Sequence, residues 1–114
     1  MITVDALRAF GANTEEGLGR CLNNETFYLR LVGMALDDAN FAKLEDAAGR
    51  GDRNAAFEAA HALKGVLGNL GLTPLYEPAS ELTELLRSGA DADYPALVAD
   101  LLARLNTLTA LREG

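Results

Sequence analysis

The sequence predicts an all-α fold, an antiparallel four-helix bundle with additional short N-terminal helices. Alanine and leucine dominate the 114 residues and β-branched residues are few, which favours helix along the whole chain. Helix-start and helix-stop residues divide the chain into roughly six segments. Four of these segments are long, amphipathic and joined by short connections, which is typical of an antiparallel bundle.

Two short helices are predicted at the N-terminus. Thr3 is suited to cap a helix over Val4–Phe10, and Gly11 follows it, where glycine commonly ends a helix. Asn13 or Thr14 then begins a second short helix.

The third and fourth segments lie between Asn23 and Gly51. Asn23 or Asn24 is predicted to begin the third, in which four apolar residues share one face: Phe27, Leu31, Met34 and Ala35. Asn40 is predicted to begin the fourth, either as a separate helix or as a bent continuation of the third. The pattern leaves open which face of the third helix is buried.

A long helix and its successor are predicted on either side of one glycine. Asp52 is suited to cap a helix over residues 53–70, and Gly71 lies where that helix should end. The next helix is predicted to begin at Thr73, as a cap, followed by Pro74 at its first position.

The last two predicted helices differ in regularity. Pro78 predicts either a kink in the helix that ends near Arg87 or a delayed start of that helix at about Pro78. Asp93 is suited to cap the final helix, over residues 94–112. Its core stripe is formed by leucines at helical spacing: Leu97, Leu101, Leu105 and Leu108.

Composition limits the classes of function. We expect one domain, residues 1–114, because the length fits a single core. The net charge of −7 argues against a nucleic-acid partner. No apolar run could span a membrane and no signal peptide is visible, so a cytoplasmic location is predicted. Cys21 is the single cysteine and is expected to be a buried thiol.

The chain's only histidine is predicted to face outward. On a helical wheel, six residues form the core stripe with Leu63: Ala56, Ala59, Ala60, Val66, Leu67 and Leu70. His61, Gly65 and Gly68 lie on the opposite side, as one exposed strip. Each glycine costs about 1 kcal/mol in an exposed helix interior. Nothing in the bundle is expected to need them, so we interpret both as clearance for another protein's active site. Close helix packing is the alternative, and it would explain Gly68 in part and Gly65 poorly.

Other chemistries for the histidine lack support in the sequence. No second histidine and no carboxylate stands three or four residues after His61 to complete a zinc site. No serine elbow accompanies it, which excludes the Ser/His/Asp pattern. The chain also has no P-loop or kinase glycine loop.

The run from His61 to Gly71, HALKGVLGNLG, resembles the histidine-containing phosphotransfer (HPt) domain, whose pattern is H-x-[LI]-K-G followed by G-N-x-G. The resemblance extends over residues 41–89, including the lead-in LEDAAGRGDRNAAFEAAH. Pro78 and Leu67 depart from the usual pattern without touching the histidine.

The resemblance implies a phosphoryl carrier rather than an enzyme, a monomer acting in a two-component multistep phosphorelay. His61 is then the phosphoacceptor, with Lys64, Gly65 and Gly68 as neighbours at the site of phosphoryl charge and docking. The implied partners are receiver domains of response regulators and a hybrid sensor histidine kinase. No cofactor is expected on this chain, because Mg²⁺ belongs to the partner receiver domain.

Several side chains near His61 have two interpretations. Lys64 either offsets the charge of the phosphoryl group or is an ordinary solvated lysine. Glu58 either accepts a hydrogen bond from His61 Nδ1 or is a solvated acid. Tyr28 and Met34 are candidates for a partner surface on the third helix. Two rival functions are the phosphoacceptor domain of a chemotaxis-type kinase, phosphorylated directly by a kinase domain, and a scaffold bundle without phosphorylation.

Overall fold

A computed structural model describes residues 2–112 as seven α-helices with no strand in that range. Residues 1, 113 and 114 of the predicted domain lie outside the described residues. The helices are α1 Val4–Phe10, α2 Thr14–Arg20, α3 Glu25–Leu36, α4 Asn40–Arg50, α5 Arg53–Asn69, α6 Thr73–Ser88 and α7 Tyr94–Ala110. None of these helices is both long and apolar enough to cross a bilayer.

Most helices begin at a side-chain cap, as predicted. In five of them the cap accepts a hydrogen bond from a backbone N–H of the first turn: Thr3, Asn13, Asn24, Asp52 and Asp93. The prediction that Thr73 caps α6 is wrong, because Leu72 precedes the helix and Thr73 is already helical.

Helices α4, α5, α6 and α7 form the four-helix bundle. Each packs against the next, and α7 closes the ring on α4. The predicted core stripes are confirmed in large part: Ala56, Ala59, Ala60, Leu63, Leu67, Leu70, Leu101, Leu105 and Leu108 are buried, while Val66 and Leu97 are partly buried. Cys21 is a buried free thiol, as expected.

The third and fourth predicted segments are separate helices on the same side of α5. Helix α4 lies beside the first half of α5, and α3 lies beside its C-terminal half. The side of α3 that enters the core carries Tyr28 and Val32, both fully buried. The stripe that begins at Phe27 and includes Met34 therefore faces mostly outward.

Pro78 lies inside α6 without delaying its start, so the delayed start is wrong. A proline has no N–H, and the carbonyl of Pro74, four residues earlier, loses its helical donor. Arg104 of α7 supplies a replacement, since its guanidinium donates to the Pro74 carbonyl oxygen at 3.1 Å. A contact from the neighbouring helix therefore satisfies the acceptor that the proline leaves without its usual partner.

Candidate functional site

The candidate site is centred on His61, on the outward face of α5. His61 is exposed, whereas Leu63 and Leu67 of the same helix are fully buried on the other side. The predicted orientation of the helix is therefore confirmed. Within residues 2–112, neither ring nitrogen of His61 has a hydrogen-bond partner, so no hydrogen bond inside this range competes with a reacting group for either nitrogen.

The imidazole ring is positioned by an aromatic neighbour one turn earlier. The rings of Phe57 and His61 are stacked, with centroids 5.7 Å apart and an angle of 12° between their planes. The Arg87 guanidinium of α6 lies 5.6 Å from the centroid of the Phe57 ring. The stack places the Phe57 ring against one face of the imidazole, while His61 as a whole stays exposed.

His61 opens onto a surface groove of about 580 Å³. Residues of α2, α5 and α6 line it, among them Arg20, Lys64 and Tyr76. Lys64 is partly buried in this wall. Three basic side chains in the described part of the chain have no carboxylate partner, and Lys64 is one of them, with Arg30 and Lys43. The charge of Lys64 is thus available to an anion in the groove.

The two glycines of the predicted strip have different surroundings. A Cβ atom on Gly65 would have no atom within 4 Å beyond its own helix backbone, so the fold does not require glycine there. A Cβ atom on Gly68 would lie 2.9 Å from Cε1 of Tyr76. The expectation that nothing in the bundle needs glycine is therefore wrong for Gly68, where the ring from α6 occupies the space.

The other predicted site residues differ in solvent exposure. Met34 is 63% exposed, as a partner surface requires. The prediction for Tyr28 is wrong, because its ring is fully buried and its hydroxyl donates to the Leu70 carbonyl at 2.8 Å. Burial, with a smaller contribution from Cys21, raises the pKa of Tyr28 to about 12. Glu58 is exposed and lines a depression between α4 and α5. It makes no hydrogen bond to His61 in the described residues.

The described residues contain no group of three or more His, Cys, Asp and Glu side chains that could hold a metal ion. Within the described range, the site combines an exposed imidazole, one lysine without an ionic partner and an open glycine one turn after the histidine. The Hpt domain family model matches residues 31–114, from the middle of α3 to the end of the chain. The chain belongs to the Hpt domain family. No curated protein and no solved structure matches the chain.

Three residues of this Hpt domain site did not emerge from the sequence. Phe57 could have been found, since residues four apart share a helix face. Tyr76 and Arg20 could not, because they reach the groove from other helices. Arg20 also lies before the residues that match the Hpt model.

Proposed function

We propose that this Hpt domain carries a phosphoryl group on His61 between receiver-domain aspartates of a two-component multistep phosphorelay. The observation that supports this most is the exposed His61 beside Lys64, whose charge has no carboxylate partner in residues 2–112. Gly65 supports it further, because its exposed position has no internal need for glycine. A cytoplasmic monomer is the form in which we expect the domain to act.

The reacting group that this chain supplies for the transfer step is an accessible neutral imidazole. The unprotonated ring nitrogen of His61 attacks phosphorus of the partner's aspartyl phosphate, forming a P–N bond. The bond between phosphorus and the aspartyl oxygen breaks, and its electron pair returns to the carboxylate. The ring carries positive charge until the proton on its other nitrogen passes to solvent. Return of the phosphoryl group to a second aspartate reverses these changes.

The domain contributes position and charge, and the partner contributes the remainder. Phosphoryl transfer depends mainly on alignment and charge stabilisation. Lys64 offsets the charge of the phosphoryl group, and Gly65 allows the partner's active site to approach the imidazole. We propose that the receiver domain supplies the Mg²⁺ ion and the catalytic groups, so this chain is a carrier.

The receiver also needs a docking surface, and α3, beside the C-terminal half of α5, offers one. Phe27, Leu31 and Met34 form an apolar stripe at helical spacing, and Phe27 and Met34 are 44% and 63% exposed. Leu31 and Met34 line a depression shared with Val66 of α5. An exposed apolar patch on a helix beside α5 is typical of a surface that binds another protein.

Phosphotransfer assays with a His61→Gln control test this function. We expect the wild-type chain to take label from a phosphorylated receiver domain, in an acid-labile and base-stable form, and the variant to take none. Labelling only by a kinase catalytic domain with ATP would identify a chemotaxis-type phosphoacceptor instead. No label from any donor would favour a scaffold and refute the proposal.

A further inference from the structure

The C-terminal end of α5 is held by the N-terminal segment, defined here as residues 13–28. Four consecutive carbonyl oxygens accept from this segment: those of Gly68, Asn69, Leu70 and Gly71. The Arg20 guanidinium donates to Gly68 at 2.8 Å and to Asn69 at 3.1 Å. The Tyr28 hydroxyl donates to Leu70 at 2.8 Å, and the Asn13 N–H donates to Gly71 at 2.7 Å.

The contacts to Asn69 and Leu70 satisfy carbonyls that have no other hydrogen-bond donor in residues 2–112. The last carbonyls of an α-helix have no intrahelical donor, and a cation is favoured at that end by the helix dipole. Arg20 meets both requirements at the end of α5, and it also pairs with Glu16 on its own helix. The match to the Hpt model begins at Leu31, so the donors of the N-terminal segment lie outside the matched part of the chain, whereas the carbonyls that accept from them lie inside it.

Close packing fixes α2 in this position. A Cβ atom on Gly17 would lie 2.5 Å from both the Leu70 carbonyl oxygen and the Tyr28 ring. A Cβ atom on Gly71 would lie 2.2 Å from the Asn13 carbonyl oxygen. The two helices therefore meet through backbone atoms, with no space for a side chain between them.

Helix α2 forms one side of the groove that contains His61. The charged residues of this groove are Glu16 and Arg20 on α2, Lys64 on α5 and Glu77 on α6. Glu16 is neutralised by Arg20, and the groove continues without interruption from α2 to the exposed strip of α5. A protein that reaches His61 through this groove would also meet α2.

We propose that α2 is the second wall of the receiver-docking surface and that Arg20 is its positioning residue. This inference rests on the proposed phosphotransfer function. A receiver domain is the occupant because the groove is continuous with the reactive imidazole. The phosphorylation site of a receiver is anionic, and the groove presents Lys64, which has no carboxylate partner in residues 2–112, in a chain of net charge −7. Arg20 acts on docking and leaves the intrinsic reactivity of His61 unchanged.

Two phosphoryl donors separate docking from reactivity. Transfer from a phosphorylated receiver domain requires docking, whereas phosphoramidate is small enough to reach His61 directly. We expect Arg20→Ala to lower kcat/KM for receiver-dependent transfer about tenfold, mainly through KM. Labelling by phosphoramidate should stay within about twofold of wild type.

Arg8→Ala is the matched control. Arg8 lies in the last turn of α1, as Arg20 lies in the last turn of α2, and it pairs with Asp5 of its own helix but makes no hydrogen bond or ion pair with α5 in the described residues. We expect this variant to match wild type in both assays. Arg20→Lys, which keeps the charge but cannot span both carbonyls in the same way, should give an intermediate KM and serves if Arg20→Ala is poorly folded.

Three outcomes count against these ideas, and they are distinguishable. Unchanged receiver-dependent kinetics in Arg20→Ala and Arg20→Lys would overturn the role of Arg20. Equal slowing with both donors would overturn it too, because the effect would then be on His61 or on folding. Labelling of the wild-type chain by phosphoramidate but by no receiver domain would refute the proposed function itself.

Discussion

The middle and the C-terminal end of α5 use glycine in opposite ways. At Gly65, next to His61, the position is open and the fold would accept a side chain. At Gly68 and Gly71, contacts from α6 and the N-terminal segment occupy the space where a side chain would be. The same residue type thus marks an accessible surface at one place and a packed junction a few residues later. Substituting these glycines and measuring stability distinguishes the open position from the packed ones.

The largest expected effect is at Gly71. Its φ of +68° is unfavourable for alanine, and the added Cβ atom would meet the Asn13 carbonyl. We expect Gly71→Ala to destabilise the fold by roughly 3 kcal/mol in urea unfolding. Gly51→Ala is the control, since Gly51 has φ +72° with nothing near its Cβ position, and should cost only about 1 kcal/mol. Equal losses would show that contact with Asn13 is unimportant.

The next effect concerns Tyr28, which closes the same end of α5. Because its pKa is raised to about 12 when folded, the phenol ionises more readily in the unfolded chain. The neutral phenol contributes about 2 kcal/mol to the free energy of unfolding. This contribution is fully present below about pH 10 and is lost as the pH rises toward about 12. Urea unfolding from pH 9 to 12 should show a steeper loss for wild type than for Tyr28→Phe. Parallel curves would contradict this.

A smaller effect is expected at Gly68. Alanine there gains helix propensity but displaces the Tyr76 ring, so Gly68→Ala should be neutral or destabilising in the wild-type background. In a Tyr76→Ala background the same change should stabilise, with a coupling energy of about 1 kcal/mol in a double-mutant cycle. Additive effects would mean that the ring does not account for this glycine.

The smallest expected change in stability is at Gly65, and its sign is opposite. Gly65→Ala should stabilise the fold by about 0.8 kcal/mol, because alanine has the better helix propensity and its side chain displaces no neighbouring atom. Gly65→Gln should be near normal in stability but slow in transfer from a receiver domain. If transfer by Gly65→Gln matched wild type, the clearance role of this glycine would be wrong.

Local rules were sufficient for most of the fold. Caps such as Thr3, Asp52 and Asp93 were predicted from residue type, because a short polar side chain satisfies the free N–H groups of the first turn. The outward position of His61 followed from helical spacing alone. Both inferences use residues within a few positions of one another.

The face of α3 and the reason for Gly68 were not predictable in this way. The side of α3 that carries Tyr28 lies in the core, where the Tyr28 hydroxyl donates to the Leu70 carbonyl, 42 residues away in sequence. At Gly68 the deciding neighbour was Tyr76, on the next helix. In each case the result depended on which surfaces the packed helices bring together.

The sequence by itself therefore determined the helices, most of their caps and the exposed side of α5 that carries His61, Lys64 and Gly65. Only the tertiary structure placed α2 against the end of α5 and Arg20 in the same groove as His61. The physical reason is distance along the chain. Arg20 and the Gly68 carbonyl are 48 residues apart, and no local preference encodes a contact that exists only after the helices have packed.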